Sequence, residues 1–100
     1  MAPRIVLSLA AERDLDDLFD YIARDSGVDR AEAILRRLGD TMANLAAAPR
    51  IGRIRPDLGG ARTFAVWPWI IFYEPLSSGE GVAIWRVVDG RRDLPQHFGG

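Results

Sequence analysis

The run WIIFY at residues 69–73 constrains the fold of this chain more than any other stretch. Branched and aromatic side chains, bounded by Pro68 and by Glu74-Pro75, read as a β-strand. Successive side chains along a strand point to opposite faces, so Trp69, Ile71 and Tyr73 share one face while Ile70 and Phe72 share the other. Both faces are apolar, and both need a cover. Helices from elsewhere in the chain supply one. For the second, two readings stay open: a loop or terminus folded across the sheet, or a protein partner, including another copy of the chain.

The helices are legible upstream. Ala11, Leu15, Leu18, Phe19, Ile22 and Ala23 recur at spacings of three and four, with Asp14, Asp16, Asp17 and Asp20 largely on the other side. Ser8 is placed to cap this helix, and Ser26-Gly27 to end it. A second apolar stripe runs through Ala31, Ile34, Leu35, Leu38, Met42, Leu45 and Ala46. Asp29 with Glu32 three residues on predicts a capping box at its start, and Pro49 requires it to stop beforehand. A joint of a few residues makes the pair an antiparallel hairpin.

The remaining periodic segments are short. Residues 4–9 alternate weakly and predict a first strand. Residues 50–61, RIGRIRPDLGGA, have no sustained period and read as a basic connecting loop. Residues 62–66, 69–74 and 81–88 then follow in series, separated by the Trp67-Pro68 turn and a turn at residues 75–80, which predicts an antiparallel meander. The expected fold is a single α+β domain over residues 1–100: an N-terminal strand, an antiparallel helical hairpin and a three-stranded meander in one twisted sheet. The first strand goes to an edge or beside the last strand.

Composition narrows the function classes. One hundred residues, 48% apolar and 27% charged, suffice for one small core, and no low-complexity tract opposes folding. No cysteine is present, which excludes disulfides and thiolate metal sites and fits a reducing cytoplasm. The N-terminal apolar run is too brief for a signal peptide or a membrane span. Phosphate-loop, zinc-protease and calcium-loop motifs are absent, so no cofactor or metal is expected. The net charge of −1 hides an asymmetry: residues 1–49 hold six arginines against nine acids, residues 50–100 seven against five.

Catalysis has little material. Cleaving a phosphodiester through the neighbouring hydroxyl needs a proton acceptor, a proton donor and cations. Arg62, Arg86, Arg91 and Arg92 are candidate cations, and His97, the sole histidine, is the one side chain of ordinary near-neutral pKa. By default His97 reads as a surface residue near the chain end. Arg92, beside Asp93, and Arg86, inside a strand, have a structural reading too: pairing with a helix acid or backbone carbonyls to pin the C-terminal segment.

Four stretches in order, LSLAAERDLDDLFDYIA (7–23), NLAAAPRIGRIRPDLG (44–59), RTFAVWPWIIFYE (62–74) and IWRVVDGRRDLP (84–95), make the chain resemble the ParE/RelE superfamily of toxins from type II toxin-antitoxin pairs, and its ParE branch in particular. The resemblance implies a helical hairpin on a twisted antiparallel sheet. For RelE-like toxins, which cut messenger RNA on the ribosome, it places the basic positions of the central strands near Thr63, Ala65 and Ile70. It places a late arginine at Arg92 and a C-terminal tyrosine at Phe98. Only Arg92 retains the chemistry, so a RelE-type endonuclease is the alternative rather than the leading expectation, beside a degenerate non-toxic binding module.

ParE-like toxins instead inhibit DNA gyrase by direct contact. The resemblance therefore implies no catalytic residues and a ParD-like antitoxin in a heteromeric complex. It implies no sequence-specific nucleic-acid binding by the toxin itself. The gyrase-directed surface is expected at Arg91, Arg92, Asp93, His97 and Phe98. The antitoxin is expected on Phe19, if exposed, and on Trp67, Trp69 and Tyr73.

Overall fold

The computed structural model describes residues 3–91. Their order is β1 (Arg4–Leu7), α1 (Leu9–Ser26), α2 (Val28–Ala47), β2 (Arg53–Arg55), a 3₁₀ turn (Pro56–Leu58), β3 (Ala61–Val66), β4 (Trp69–Pro75) and β5 (Gly81–Asp89). The helical hairpin, the meander and the first strand appear as the residue pattern requires.

Ser8 does three things at the start of α1. Its Oγ accepts from the Ala11 N–H at 2.9 Å and donates to the Trp85 carbonyl at 2.6 Å, and its own N–H donates to the Ile84 carbonyl at 3.0 Å. The cap thus fastens the helix to β5 while satisfying one of its open amides. Gly27, at φ 96°, closes α1 by donating to the Ala23 carbonyl at 3.0 Å and also opens α2. The positive φ reverses the chain within one residue, at a position where a side chain would be strained. This corrects the expected capping box. With a one-residue joint no separate cap position exists, and Asp29 lies in the first turn of α2, where its charge suits the helix N-terminus.

The five strands form one sheet in the order β1-β5-β4-β3-β2, with β1 parallel to β5 and every other pair antiparallel. β1 is therefore both an edge strand and the neighbour of the last strand. β2 is a second correction, because residues 53–55 pair with residues 61–63 instead of forming loop. Three residues are too few to show alternation, and what makes them a strand is the neighbouring edge of β3. At the other edge Gly81, at φ 124°, lies where an added Cβ would overlap the Arg4 backbone, so only glycine lets β1 approach the start of β5.

A bulge sets which side chains of β5 face inward. Phe72 lies opposite Arg86 and Tyr73 opposite Ile84, leaving Trp85 as the extra residue. The shift allows Val82, Ile84 and Val87 all to join the helix-side core, with Ile71, Tyr73, Leu38 and Leu45. Each large apolar side chain buried there stabilises the fold by about 1.5–3 kcal/mol relative to exposure. On the far face Ile70, Phe72 and Val88 form a smaller buried cluster against which Leu58 packs. The connecting segment thus contributes to the second cover through its 3₁₀ turn. No helix among the described residues is long and apolar enough to cross a membrane.

Candidate partner-binding site

The β5 edge beyond the end of β1 is closed by α1. Asp14 accepts from the Val87 N–H at 2.9 Å, from Arg86 Nε at 2.7 Å and from Arg86 Nη2 at 3.0 Å. One carboxylate therefore takes a strand amide and a two-pronged guanidinium pair, a geometry that fixes both elements. Arg86 has the structural role open to it in the sequence. Asp14 departs from its neighbours on α1, since its side chain is only 15% exposed.

One turn further along α1, a groove opens between the helical hairpin and the end of the sheet. Its first recess is lined by Asp14, Asp17, Tyr21, Trp69, Arg86 and Asp89, among others. Its second, of about 310 Å³, includes Tyr21, Asp25, Arg30, Arg37, Trp67 and Arg91. Tyr21 and Trp69 belong to both, so the recesses are continuous. Trp67 is 62% exposed and Tyr21 51%, an unusual exposure for large aromatic side chains flanking a concavity. The Trp67-Pro68 peptide is cis, and the Pro68 carbonyl accepts from the Gly90 N–H at 2.7 Å, joining the aromatic turn to the end of β5.

Arg91 folds back on Asp89. Its backbone N–H and Nε both donate to Asp89 Oδ1, at 2.9 and 3.2 Å, and Nη2 donates to Oδ2 at 3.1 Å. Asp89 raises the Arg91 pKa through these side-chain bonds and its charge. Arg55 and Asp57 form a similar exposed pair at 2.7 Å, the guanidinium bond lowering the Asp57 pKa. Arg62 donates to the Arg50 and Gly52 carbonyls at 3.1 and 2.9 Å. The cations proposed for phosphodiester chemistry that lie within the described residues thus have separate engagements.

Of the expected antitoxin contacts, Trp67 and Trp69 line the groove, Trp69 with its ring partly packed on the core. Phe19 is half-buried against the same core and is not a lining residue of either recess. Tyr73 is a correction: it has no exposed surface. Its hydroxyl donates to the Pro49 carbonyl and accepts from the Gly52 N–H, both at 2.9 Å, so it anchors the segment leading into β2. Its place in the WIIFY alternation put it on the helix face, and there the core and the Pro49–Gly52 segment close over it. Of the expected gyrase-directed residues, Arg91 lines the groove, whereas Arg92, Asp93, His97 and Phe98 lie outside the described residues.

Tyr21, Asp25, Arg30 and Arg37 are groove residues that escaped the sequence reading. Arg30 and Arg37 are seven apart, two helical turns, and hence on one face of α2. That spacing was the available signal, and the apolar stripe drew attention away from it.

The positions that in RelE-like toxins are basic come together on the far face of the sheet. Thr63 pairs with Phe72 and Ala65 with Ile70, side by side on adjacent strands. None of these four side chains is cationic.

The family model for the ParE toxin of the type II toxin-antitoxin system parDE matches residues 5–94. This chain belongs to the ParE toxin family. Toxin ParE3 of Caulobacter vibrioides is 39% identical over 97 residues, a match covering 96% of this chain and 95% of that one. Toxin ParE1 of Mycobacterium tuberculosis is 36% identical over 103 residues, covering 98% and 100%. Among solved structures, a chain of the chromosomal ParDE toxin-antitoxin system from P. aeruginosa superposes with a TM-score of 0.71 at 21% identity, covering 88% of this chain and 96% of that one. That likeness shows the shared fold. Within the ParE family, the groove and its Trp67-Pro68-Trp69 rim are this chain's candidate site for a protein partner.

Proposed function

We propose that this ParE-family toxin inhibits DNA gyrase by direct binding in the cytoplasm and is held inactive by a ParD-like antitoxin in a heteromeric complex. The observation that supports it most is the far sheet face, where Thr63, Ala65, Ile70 and Phe72 offer apolar and hydroxyl groups at the positions a ribonuclease of this superfold fills with cations. These four side chains supply no charge to a phosphodiester transition state, and the neighbouring cation is Arg53 of β2, opposite Thr63. Inhibition by contact needs no such centre. The antitoxin is assigned to Trp67 and Trp69 and, outside the groove, to Phe19 of α1, and gyrase to Arg91 and the C-terminal residues Arg92, Asp93, His97 and Phe98.

The deciding experiment adds purified chain to gyrase and follows supercoiling and DNA cleavage, in parallel with cleavage of ribosome-bound messenger RNA. Gyrase inhibition that the antitoxin reverses is the expected result. Ribosome-dependent cleavage with gyrase untouched would favour the endonuclease reading, and folded protein inert in both assays would favour a non-toxic binding module.

A further inference from the structure

The sheet ends at β1, beyond which no strand lies among the described residues. The Arg4 N–H donates to the Glu80 carbonyl at 3.3 Å and the Ser8 N–H to the Ile84 carbonyl at 3.0 Å. Backbone groups aimed at one neighbour alternate along a strand, so Val6 faces β5 as well, while Ile5 and Leu7 turn their N–H and C=O groups to the open edge. Ile5 and Leu7 stand opposite Val82 and Ile84 of the helix-side core, yet Ile5 keeps 41% exposure, so the helices stop short of the edge. Val6, on the other face, is 39% exposed. Sheets blunt an open edge with charge or proline, and here Pro3 and Arg4 do so only at its start. Ile5, Val6 and Leu7 are left as an apolar edge with its outward backbone groups open.

We infer that β1 is a self-pairing edge, through which two copies of this chain join their five-stranded sheets into one. A second copy laid antiparallel about a twofold axis at Val6 sets Ile5 opposite Leu7 of the copy and Leu7 opposite its Ile5. Each pair exchanges both outward hydrogen bonds, and the two Val6 residues form the close pair between them, Cα atoms about 4.5 Å apart. Arg4 then falls opposite Ser8 of the copy, and the two Arg4 residues lie about 13 Å apart along the strands, beyond the screening length in physiological salt. An axis at Ile5 instead would set Leu7 against Pro3, which has no N–H to give. Backbone pattern, apolar side chains and charge all favour the copy as the occupant.

A contact this narrow buries less than a standard interface of roughly 1,200–2,000 Å², so the pair is reversible and forms at micromolar concentrations and above. Trp69 and Asp89 pair at the opposite end of β5 from Gly81, where β1 begins, so the Trp67 rim stays open in both copies. The dimer thus offers its partners two grooves at once. The inference stands whether or not gyrase is the target.

The test uses the full chain without antitoxin. Sedimentation velocity follows its mass over concentrations reaching the order of 1 mM. Val6→Glu sets two carboxylates face to face across the axis, and thermal melts check its folding. The chain has no cysteine, so Val6→Cys supplies one thiol per copy at a spacing a disulfide accepts; Ile54→Cys, exposed in β2 at the opposite edge, controls for random collision. Expected are a mass that rises toward the dimer with concentration, association weakened by about tenfold or more in Val6→Glu, and oxidative cross-linking about tenfold faster at residue 6 than at residue 54. Should Val6→Glu fail to fold, the cysteine pair decides alone.

A chain that stays monomeric over the whole range overturns the inference. So does a dimer that folded Val6→Glu leaves unchanged, or cross-linking no faster at residue 6 than at residue 54. Exchange protection of the Ile5 and Leu7 amides that appears only when antitoxin is added overturns it in favour of a strand from that partner.

Discussion

Replacing Tyr73 by phenylalanine separates anchoring from recognition. The ring keeps its burial, so the apolar contribution is retained and only the hydroxyl is lost. Two groups then lose their partner: the Gly52 N–H, which is buried, and the Pro49 carbonyl, which is partly open to water. An orphaned buried donor costs about 1–3 kcal/mol, and a carbonyl that water reaches costs much less. The bonds from Arg62 to the Arg50 and Gly52 carbonyls remain and limit the movement of the segment. A loss of about 1.5–3 kcal/mol follows. Urea unfolding at neutral pH reads it as a midpoint lower by about 1 M or more, for a slope on the order of 1–2 kcal/mol per molar. Hydrogen exchange at the Gly52 amide should accelerate in step. Antitoxin affinity of the folded variant should stay within about twofold, since Tyr73 presents no surface. A loss below about 0.5 kcal/mol with unchanged Gly52 exchange would refute the anchoring argument, and a stable variant that bound antitoxin poorly would return Tyr73 to the interface.

Three further outcomes follow from the same geometry. Asp14→Ala removes the carboxylate that accepts from the Val87 N–H and from Arg86 and should cost about 1–3 kcal/mol in chemical denaturation, with Asn recovering part of it. Gly81→Ala sets a methyl against the Arg4 backbone at a positive φ, so it should cost at least about 1–3 kcal/mol and raise exchange at the β1–β5 amides before those of β4, as measured by hydrogen-exchange NMR. Burial holds the Tyr73 phenol above its ordinary 10.0, against the opposing Gly52 bond and Arg62 charge. Between that value and the higher native one the folded state retains a proton the unfolded chain has released, so stability is full below about pH 10 and falls as pH rises beyond it. Alkaline melts should show that fall, and it should be shallower in the Tyr73→Phe protein.

The groove became readable by degrees. Trp67 and Trp69 stood out from the sequence because aromatic density in so small a chain exceeds what one core face absorbs. Arg91 stood out from its place after the last strand. Tyr73 was misassigned because alternation gives the face of a residue and not the depth of its cover. Asp14 was grouped with Asp16, Asp17 and Asp20 because it shares their type and helix; only the proximity of β5, 72 residues downstream of Asp14 at Arg86, distinguishes it.

By itself the sequence determined the two helices, the meander and the apolar character of both sheet faces, because those depend on periodicities of 3.6 and 2 within contiguous segments. It also determined family membership, through motifs spread over most of the chain. Only the tertiary structure decided that residues 53–55 are a strand, that a bulge at Trp85 turns Val87 inward, and that Tyr21, Arg30, Arg37, Trp67 and Arg91 line one recess. Each of these depends on a partner far along the chain. A strand three residues long, a change of register and a cleft between a helix pair and a sheet end have no local period to announce them.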